Sequence, residues 1–156
     1  MEKITRVEQM PVYRTFMQLA LDLETATRQF GPDFRWLRVQ CLRSSESVCA
    51  NMTEAFYSQY STEYLQGLYR SRREARETTC HMEYAVGAGQ LPSQSERALA
   101  SRYEDACLQL SNLIAGIERK INDRGKGKPE PSMVKEESEG YDVLTPESRL
   151  SINHQP

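Results

Sequence analysis

Two histidines, four cysteines, a row of arginines and one aligned set of polar residues are the side chains of this chain with chemistry to offer. The aligned set is Gln40, Arg43, Ser47, Asn51 and Glu54, within QCLRSSESVCANMTE. At about 100° per residue a helix gathers these five into one sector about 80° wide. They lie beside an apolar stripe of Leu37, Cys41, Val48, Met52 and Ala55. If the set did chemistry, Glu54 would be the acid or base, with Arg43 and Asn51 as its partners. Acid–base sites normally bring a second tuned group, and a lone carboxylate beside Arg and Asn fits a structural hydrogen-bond network better. A solvated helix face scatters Lys and Glu, whereas short amides, a hydroxyl and an Arg–Glu pair suit a polar seam. We read Gln40, Arg43, Ser47, Asn51 and Glu54 as a structural or subunit-interface stripe held against another helix or subunit.

The histidines, His81 and His154, leave a His-based site almost nothing to draw on. Cys80 and His81 point about 100° apart on a helix and cannot share a metal as neighbours. Di-metal sites in bundles need Glu-x-x-His twice, and neither histidine is preceded by Glu at that spacing. There is no phosphate-binding glycine loop, nucleophile elbow or zinc-finger spacing. The sequence therefore predicts no catalytic residue, metal, cofactor or small-molecule substrate. Cys41, Cys49, Cys80 and Cys107 form no CxxC pair and are expected as free, buried thiols in a reducing compartment.

Arg70, Arg72, Arg73 and Arg76 are the remaining charge feature, preceded by Tyr69. An aromatic ring among guanidinium groups suits a base stacked over a contacted phosphate backbone, and Lys126 and Lys128 would extend such a surface. Glu74 and Glu77 dilute it, and Glu74 can pair with Arg70 one turn back. With 20 basic against 22 acidic residues, the whole chain exerts no pull on a polyanion, so nucleic-acid contact would need this local patch.

The elements that must position these residues are four amphipathic helices. The first spans from Val7 or Pro11 to Gln29, with Val12, Phe16, Leu19, Leu23, Ala26 and Phe30 at bundle-seam spacing. Thr5-x-x-Glu8 offers a cap and Gly31-Pro32 a stop. The second covers about Asp33 to Gln59, with Asp33 as N-cap. Ser61 would cap a third helix reaching Val86, its seam being Tyr64, Leu68, Ala75, Thr79, Met82 and Val86. Pro92-Ser93-x-x-Glu96 opens the fourth, with Leu99, Tyr103, Ala106, Leu110, Leu113, Ile117 and Ile121 along one face. Short loops between four such helices favour an all-α, antiparallel up-and-down four-helix bundle over residues 1–123. Residues 124–156 contain seven Gly or Pro and no sustained period, the composition of a disordered tail. Tyr141-Asp142-Val143-Leu144 is its one cohesive element. No secretory leader or membrane span is evident, so a soluble cytoplasmic protein is expected.

Gln40, Arg43, Ser44, Ser47, Val48, Asn51, Met52, Glu54 and Ala55 follow a recurring pattern. They resemble the Gln-x-x-Arg-Ala-x-x-Ser-Ile-x-x-Asn-Ile-x-Glu-Gly helix of four-helix-bundle proteins first noticed in intervening sequences of bacterial 23S ribosomal RNA genes. Tyr64-Leu65 is similar to that family's Phe-Leu pair, Glu77 to a later glutamate, and the end of the fourth helix is also similar. Ala55 stands where the family usually has Gly, Cys49 where Pro is often seen, and Arg73-Glu74 where Gly-Ser is frequent. The resemblance covers about residues 10–122. It implies a ring-like homo-oligomer, commonly a pentamer, without known biochemical function in most members. A related branch, the accessory variability proteins of diversity-generating retroelements, implies binding to a reverse transcriptase and template RNA. Those relatives are basic, whereas this chain has a net charge of −2. The leading expectation is a non-enzymatic interaction or scaffold module, with an RNA-binding accessory protein as the alternative.

Overall fold

The computed structural model describes residues 3–125. Four helices account for most of them: α1 Pro11–Thr27, α2 Arg35–Phe56, α3 Ser61–Gly87 and α4 Ser93–Gly125. Short 3₁₀ turns at Val7–Gln9 and Pro32–Phe34 precede α1 and α2. No strand is present among the described residues, and the all-α four-helix class holds.

The helix starts differ from the sequence expectation in a consistent way. Pro11 begins α1, where its missing N–H costs nothing. The turn ahead of it is closed by Gln9, not Glu8, whose Oε1 accepts from the Thr5 and Arg6 backbone N–H groups at 2.8 and 3.0 Å. Asp33 lies inside a 3₁₀ turn and the N-cap of α2 is Phe34, without a side-chain cap. Ser61 is likewise the first residue of α3, not its cap. Its hydroxyl is buried without a hydrogen bond among the described residues. At the other end of α3, Gly89 adopts φ +71°, and the Gln90 N–H returns to the Ala85 carbonyl at 2.8 Å. That left-handed turn is the usual use of glycine after a helix. Gln90 Oε1 also accepts from the Gly31 N–H at 2.7 Å, tying the α1–α2 and α3–α4 connections together.

Each helix packs on its sequence neighbours and α4 closes back on α1; the α2–α3 contact is the most extensive. Helix direction follows from paired contacts. Ser71 meets Val48 and Thr78 meets Ser44, so α2 and α3 run antiparallel. Tyr69 meets Glu118 and Arg72 meets Ser111, so α3 and α4 do too. Phe16, Leu19, Leu23, Leu37, Met52, Leu68, Met82, Tyr103 and Leu110 fill the interior. At ~1.5–3 kcal/mol per large apolar side chain, this core holds the fold without disulfides.

On α1 Val12, Phe16, Leu19 and Leu23 and on α4 Leu99, Tyr103, Ala106, Leu110 and Ile117 are buried as their spacing predicts, with Thr27, Cys107 and Ile114 as additional buried members, while Ala26, Phe30, Leu113 and Ile121 are partly covered. The α3 seam is rotated. Leu68, Ala75 and Met82 are buried, but so are Gly67, Ser71, Thr78 and Ala85, while Tyr64, Thr79 and Val86 are only partly covered. Helix α4 continues through Arg124 and Gly125, two residues past the expected boundary at 123. The expected disordered tail beyond that point, with Tyr141–Leu144 and His154, lies outside the described residues.

Candidate functional site

The aligned polar set on α2 flanks the α2–α3 contact. Gln40, Ser47 and Asn51 are half-buried, while Arg43 and Glu54 are exposed. Arg43 Nη2 donates to Glu77 Oε1 on α3, and Arg43 Nη1 lies 3.8 Å from Glu74 Oε2. Glu74 therefore turns to α2, not to Arg70 one turn back. Asn51 Nδ2 donates to the Ser47 carbonyl at 2.8 Å, which joins two members of the set within their own helix. Glu54 stands apart from these bonds, on the side of α2 that lines a groove against α1.

Behind this row, the α2–α3 contact is built from small residues. Thr78 Oγ1 donates to Ser44 Oγ at 2.9 Å, and Ser71 Oγ to the Val48 carbonyl at 2.9 Å. Gly67 faces Ala55 with no room for a side chain between them. Sequence reasoning missed Gly67, Ser71 and Thr78, and gave Ser44 a place in the helix pattern but none in this contact. The signal was present: Gly67, Ser71, Ala75 and Thr78 are spaced 4, 4 and 3, a small-residue face on one side of a helix.

The arginine row divides. Arg72 is half-buried, its guanidinium 5.5 Å from the Tyr69 ring centroid, and Nη1 donates to Ser111 Oγ at 3.4 Å. Tyr69 packs against the core and donates its hydroxyl to Glu118 on α4. Burial, reinforced by the Glu118 carboxylate, pushes that phenol up to about 12. The ring is thus committed to the α3–α4 contact and is not a free stacking platform. Arg70, Arg73 and Arg76 are exposed and have no ion pair among the described residues. Lys126 and Lys128 lie outside the described residues.

Cys41, Cys49 and Cys107 are buried as expected, but Cys80 is exposed. Burial pushes the Cys41 thiol up to about 11 and the Cys49 thiol, aided by Glu46, up to about 12. These thiols are protonated at neutral pH and are not nucleophiles. His81 is half-buried, with Nε2 3.2 Å from Glu77 Oε1. No cluster of three or more His, Cys, Asp or Glu suited to a metal occurs among the described residues.

A groove of about 660 Å³ lies between α1 and α2. Met17, Leu21, Leu42 and Ala50 give it an apolar lining, and Glu46 and Glu54 stand on the α2 side. Leu21 is 55% exposed and Met17 36% exposed. Glu24 closes one end, held below the usual carboxylate range by Arg28, with Arg38 adding to the effect. A second groove, also about 660 Å³, continues past Glu24 to Arg28, Arg35 and Val39. Sequence reasoning did not foresee either groove. No helix among the described residues is long and apolar enough to cross a membrane.

No curated protein matches the chain. Among solved structures, the fold is similar to a protein of unknown function from the S23 ribosomal protein family of Bacteroides thetaiotaomicron VPI-5482. The TM-score is 0.62 at 19% sequence identity, covering 67% of this chain and 95% of that one. At that identity the likeness carries the fold alone. The family model described as 23S rRNA-intervening sequence protein matches residues 8–112, from the turn before α1 into the second half of α4. With most of its four-helix bundle covered by that match, the chain belongs to the 23S rRNA-intervening sequence protein family.

Proposed function

We propose that this protein is a non-enzymatic, cytoplasmic, homo-oligomeric bundle that serves as an interaction or scaffold module. The observation that carries this reading is the α1–α2 groove, where Met17, Leu21, Leu42 and Ala50 leave an apolar surface open on a bundle with a filled core. Contiguous exposed apolar surface of this kind marks an interaction site. The titratable groups around it supply no acid–base pair. Glu24 is engaged by two arginines, the Cys49 thiol is held protonated, and Glu46 and Glu54 are exposed carboxylates. In this reading Gln40, Arg43, Ser47, Asn51 and Glu54 set helix and subunit register through polar contacts, of which Arg43–Glu77 is one. The ring implied by the family resemblance, commonly a pentamer, is the assembly proposed.

Light scattering tests self-association directly: the native protein should have a mass several times that of one chain. Asn51→Leu and Arg43→Ala should change that mass or lower the melting temperature. Unchanged mass and melting in both variants would remove the stripe from the mechanism.

A second reading is supported by Arg70, Arg73 and Arg76, which are exposed and carry no ion pair among the described residues, Glu74 being turned from Arg70 toward Arg43. Such a surface suits an RNA-binding accessory protein, such as the partner of a retroelement reverse transcriptase. Its signature is RNA affinity that falls steeply with salt, by about 0.7 in log–log slope per phosphate contact on a single strand. Charge reversal at the three arginines should abolish it, and no RNA binding at low salt would end this reading.

A further inference from the structure

The second groove collects arginines where a helix ordinarily carries acids. A helix N-terminus is the positive end of its dipole and favours Asp or Glu in the first turn. The first four residues of α2, Arg35, Trp36, Leu37 and Arg38, instead hold two arginines and no acid. Arg28, the residue after α1, brings a third guanidinium to the same groove. Glu24 is the one acidic residue of the lining, and it is already shared. Its Oε2 accepts from Arg28 Nε and Nη2 at 3.0 and 2.7 Å, and its Oε1 from Arg38 Nη2 at 2.9 Å. Three arginines against one glutamate leave the lining a formal charge of +2. Asp33, exposed in the turn before α2, is not part of the lining and pairs with none of the three.

Donors are left over as well as charge. Arg38 Nε is covered and has no hydrogen-bond partner among the described residues, and Arg35 makes no hydrogen bond or ion pair among them. A covered donor without an acceptor calls for one. Guanidinium groups present their N–H bonds as a planar fork that matches the oxygens of a phosphate two at a time. A carboxylate ligand would supply one negative charge, whereas a phosphate monoester carries nearly two at neutral pH and so matches the surplus. Phe30, Pro32 and Val39 complete the lining and give an organic group apolar contact beside the arginines. We propose that the groove at Arg28, Arg35 and Arg38 binds a small phosphate monoester, with its phosphate on the guanidinium groups and its organic part against Phe30, Pro32 and Val39. The monoester is held as a ligand and not converted, because the one acid of the lining, Glu24, is taken up by two arginines. The site involves neither self-association nor the arginine row of α3, so it stands apart from both readings above.

The test is calorimetric titration of the full chain with phenyl phosphate, inorganic phosphate and benzoate, which separate the dianion from the ring. Phenyl phosphate should bind about tenfold more tightly than either of the others, since only it uses both the arginines and the apolar wall. Arg35→Ala removes an exposed side chain with no partner among the described residues, so the fold should be kept while affinity falls about tenfold, the loss of one charge-assisted hydrogen bond. Arg73→Ala, on α3, should leave affinity unchanged. Glu24→Gln removes the competing carboxylate and should tighten binding; if that variant is less stable, phenyl phosphate should raise its melting temperature by more than it raises that of the wild type. No binding of phenyl phosphate at millimolar concentration by wild type or Glu24→Gln would overturn the proposal. So would equal affinity for benzoate, or equal losses in Arg35→Ala and Arg73→Ala, which would reduce the effect to general charge. A single-stranded RNA that competes for Arg35 when phenyl phosphate does not bind would also overturn it, by making the groove a polymer contact.

Discussion

Gly67 on α3 lies so close to Ala55 on α2 that a Cβ built on the glycine would be 2.5 Å from the alanine Cβ. The Ala55 Cα and the Asn51 carbonyl oxygen would each be 3.1 Å away. The helices therefore approach to near backbone contact, which lets Ser71 reach the Val48 carbonyl and Thr78 reach Ser44. In the resembling helix pattern the position of Ala55 usually holds Gly. Here Ala55 carries a methyl group, and the room for it is made across the interface by Gly67, which has no side chain.

Gly67→Ala gains about 1 kcal/mol of helix propensity but overpacks a contact made by backbone and a Cβ that cannot swing aside, at ~1–3 kcal/mol. A net loss of stability is expected, recovered in part when combined with Ala55→Gly. Urea melts of the two single variants and the double variant measure the coupling, and additive effects would show that the close approach does not matter.

Tyr69 and Tyr103 should respond oppositely to removal of the hydroxyl. Tyr69 donates to the half-buried Glu118 carboxylate, so Tyr69→Phe should cost ~1.5–3 kcal/mol, as hydrogen bonds to charged groups do. The Tyr103 hydroxyl is buried without a partner among the described residues, so Tyr103→Phe should be neutral or stabilising. A loss above about 1 kcal/mol in Tyr103→Phe would require a partner for that hydroxyl.

Alkaline pH should destabilise the fold. Burial raises Cys41 to about 11 and Cys49 to about 12 from an ordinary 9.0, and Tyr69 to about 12 from 10.0. The native state keeps these groups protonated after the unfolded chain has lost its protons. Their contribution is therefore complete below pH 9 and drains away as pH rises to about 12. Melting temperatures at pH 8, 9.5 and 11 should fall in that order; a flat profile would contradict the burial of these groups.

Thiol reagents should distinguish one cysteine from three. Cys80 is exposed, while Cys41, Cys49 and Cys107 are buried. One thiol per chain should react quickly in the native protein, and all four in denaturant. Cys80→Ala should abolish the fast phase; a surviving fast thiol would place Cys49, on the wall of the α1–α2 groove, within reach of solvent.

The legible parts of this protein were those with a single strong period. Val12, Phe16, Leu19 and Leu23 repeat at seam spacing and are buried as their spacing predicts. The α3 seam was harder because two stripes overlap. Large residues such as Tyr64 and Val86 advertise one register, while Gly67, Ser71 and Thr78 occupy the face that meets α2 most closely. Hydrophobicity cannot identify small polar residues as buried when their hydroxyls bond to carbonyls on their own or the facing helix. The caps were misplaced for a related reason: Asp33 and Ser61 are good cap residues by type, but 3₁₀ geometry and burial put them elsewhere.

Sequence alone determined the number of helices, their order and the apolar faces of α1 and α4, because those follow from periodicity and short connections. It also singled out the α2 polar row, since the row is a property of one helix. What only the tertiary structure decided is how side chains from different helices meet. It pairs Arg43 with Glu77, turns Glu74 from Arg70, commits Tyr69 to Glu118 and opens a groove beside Glu46 and Glu54. Each depends on helix rotation and separation, and these are set by the closeness of Gly67 to Ala55 and the packing of the whole core, not by any local pattern.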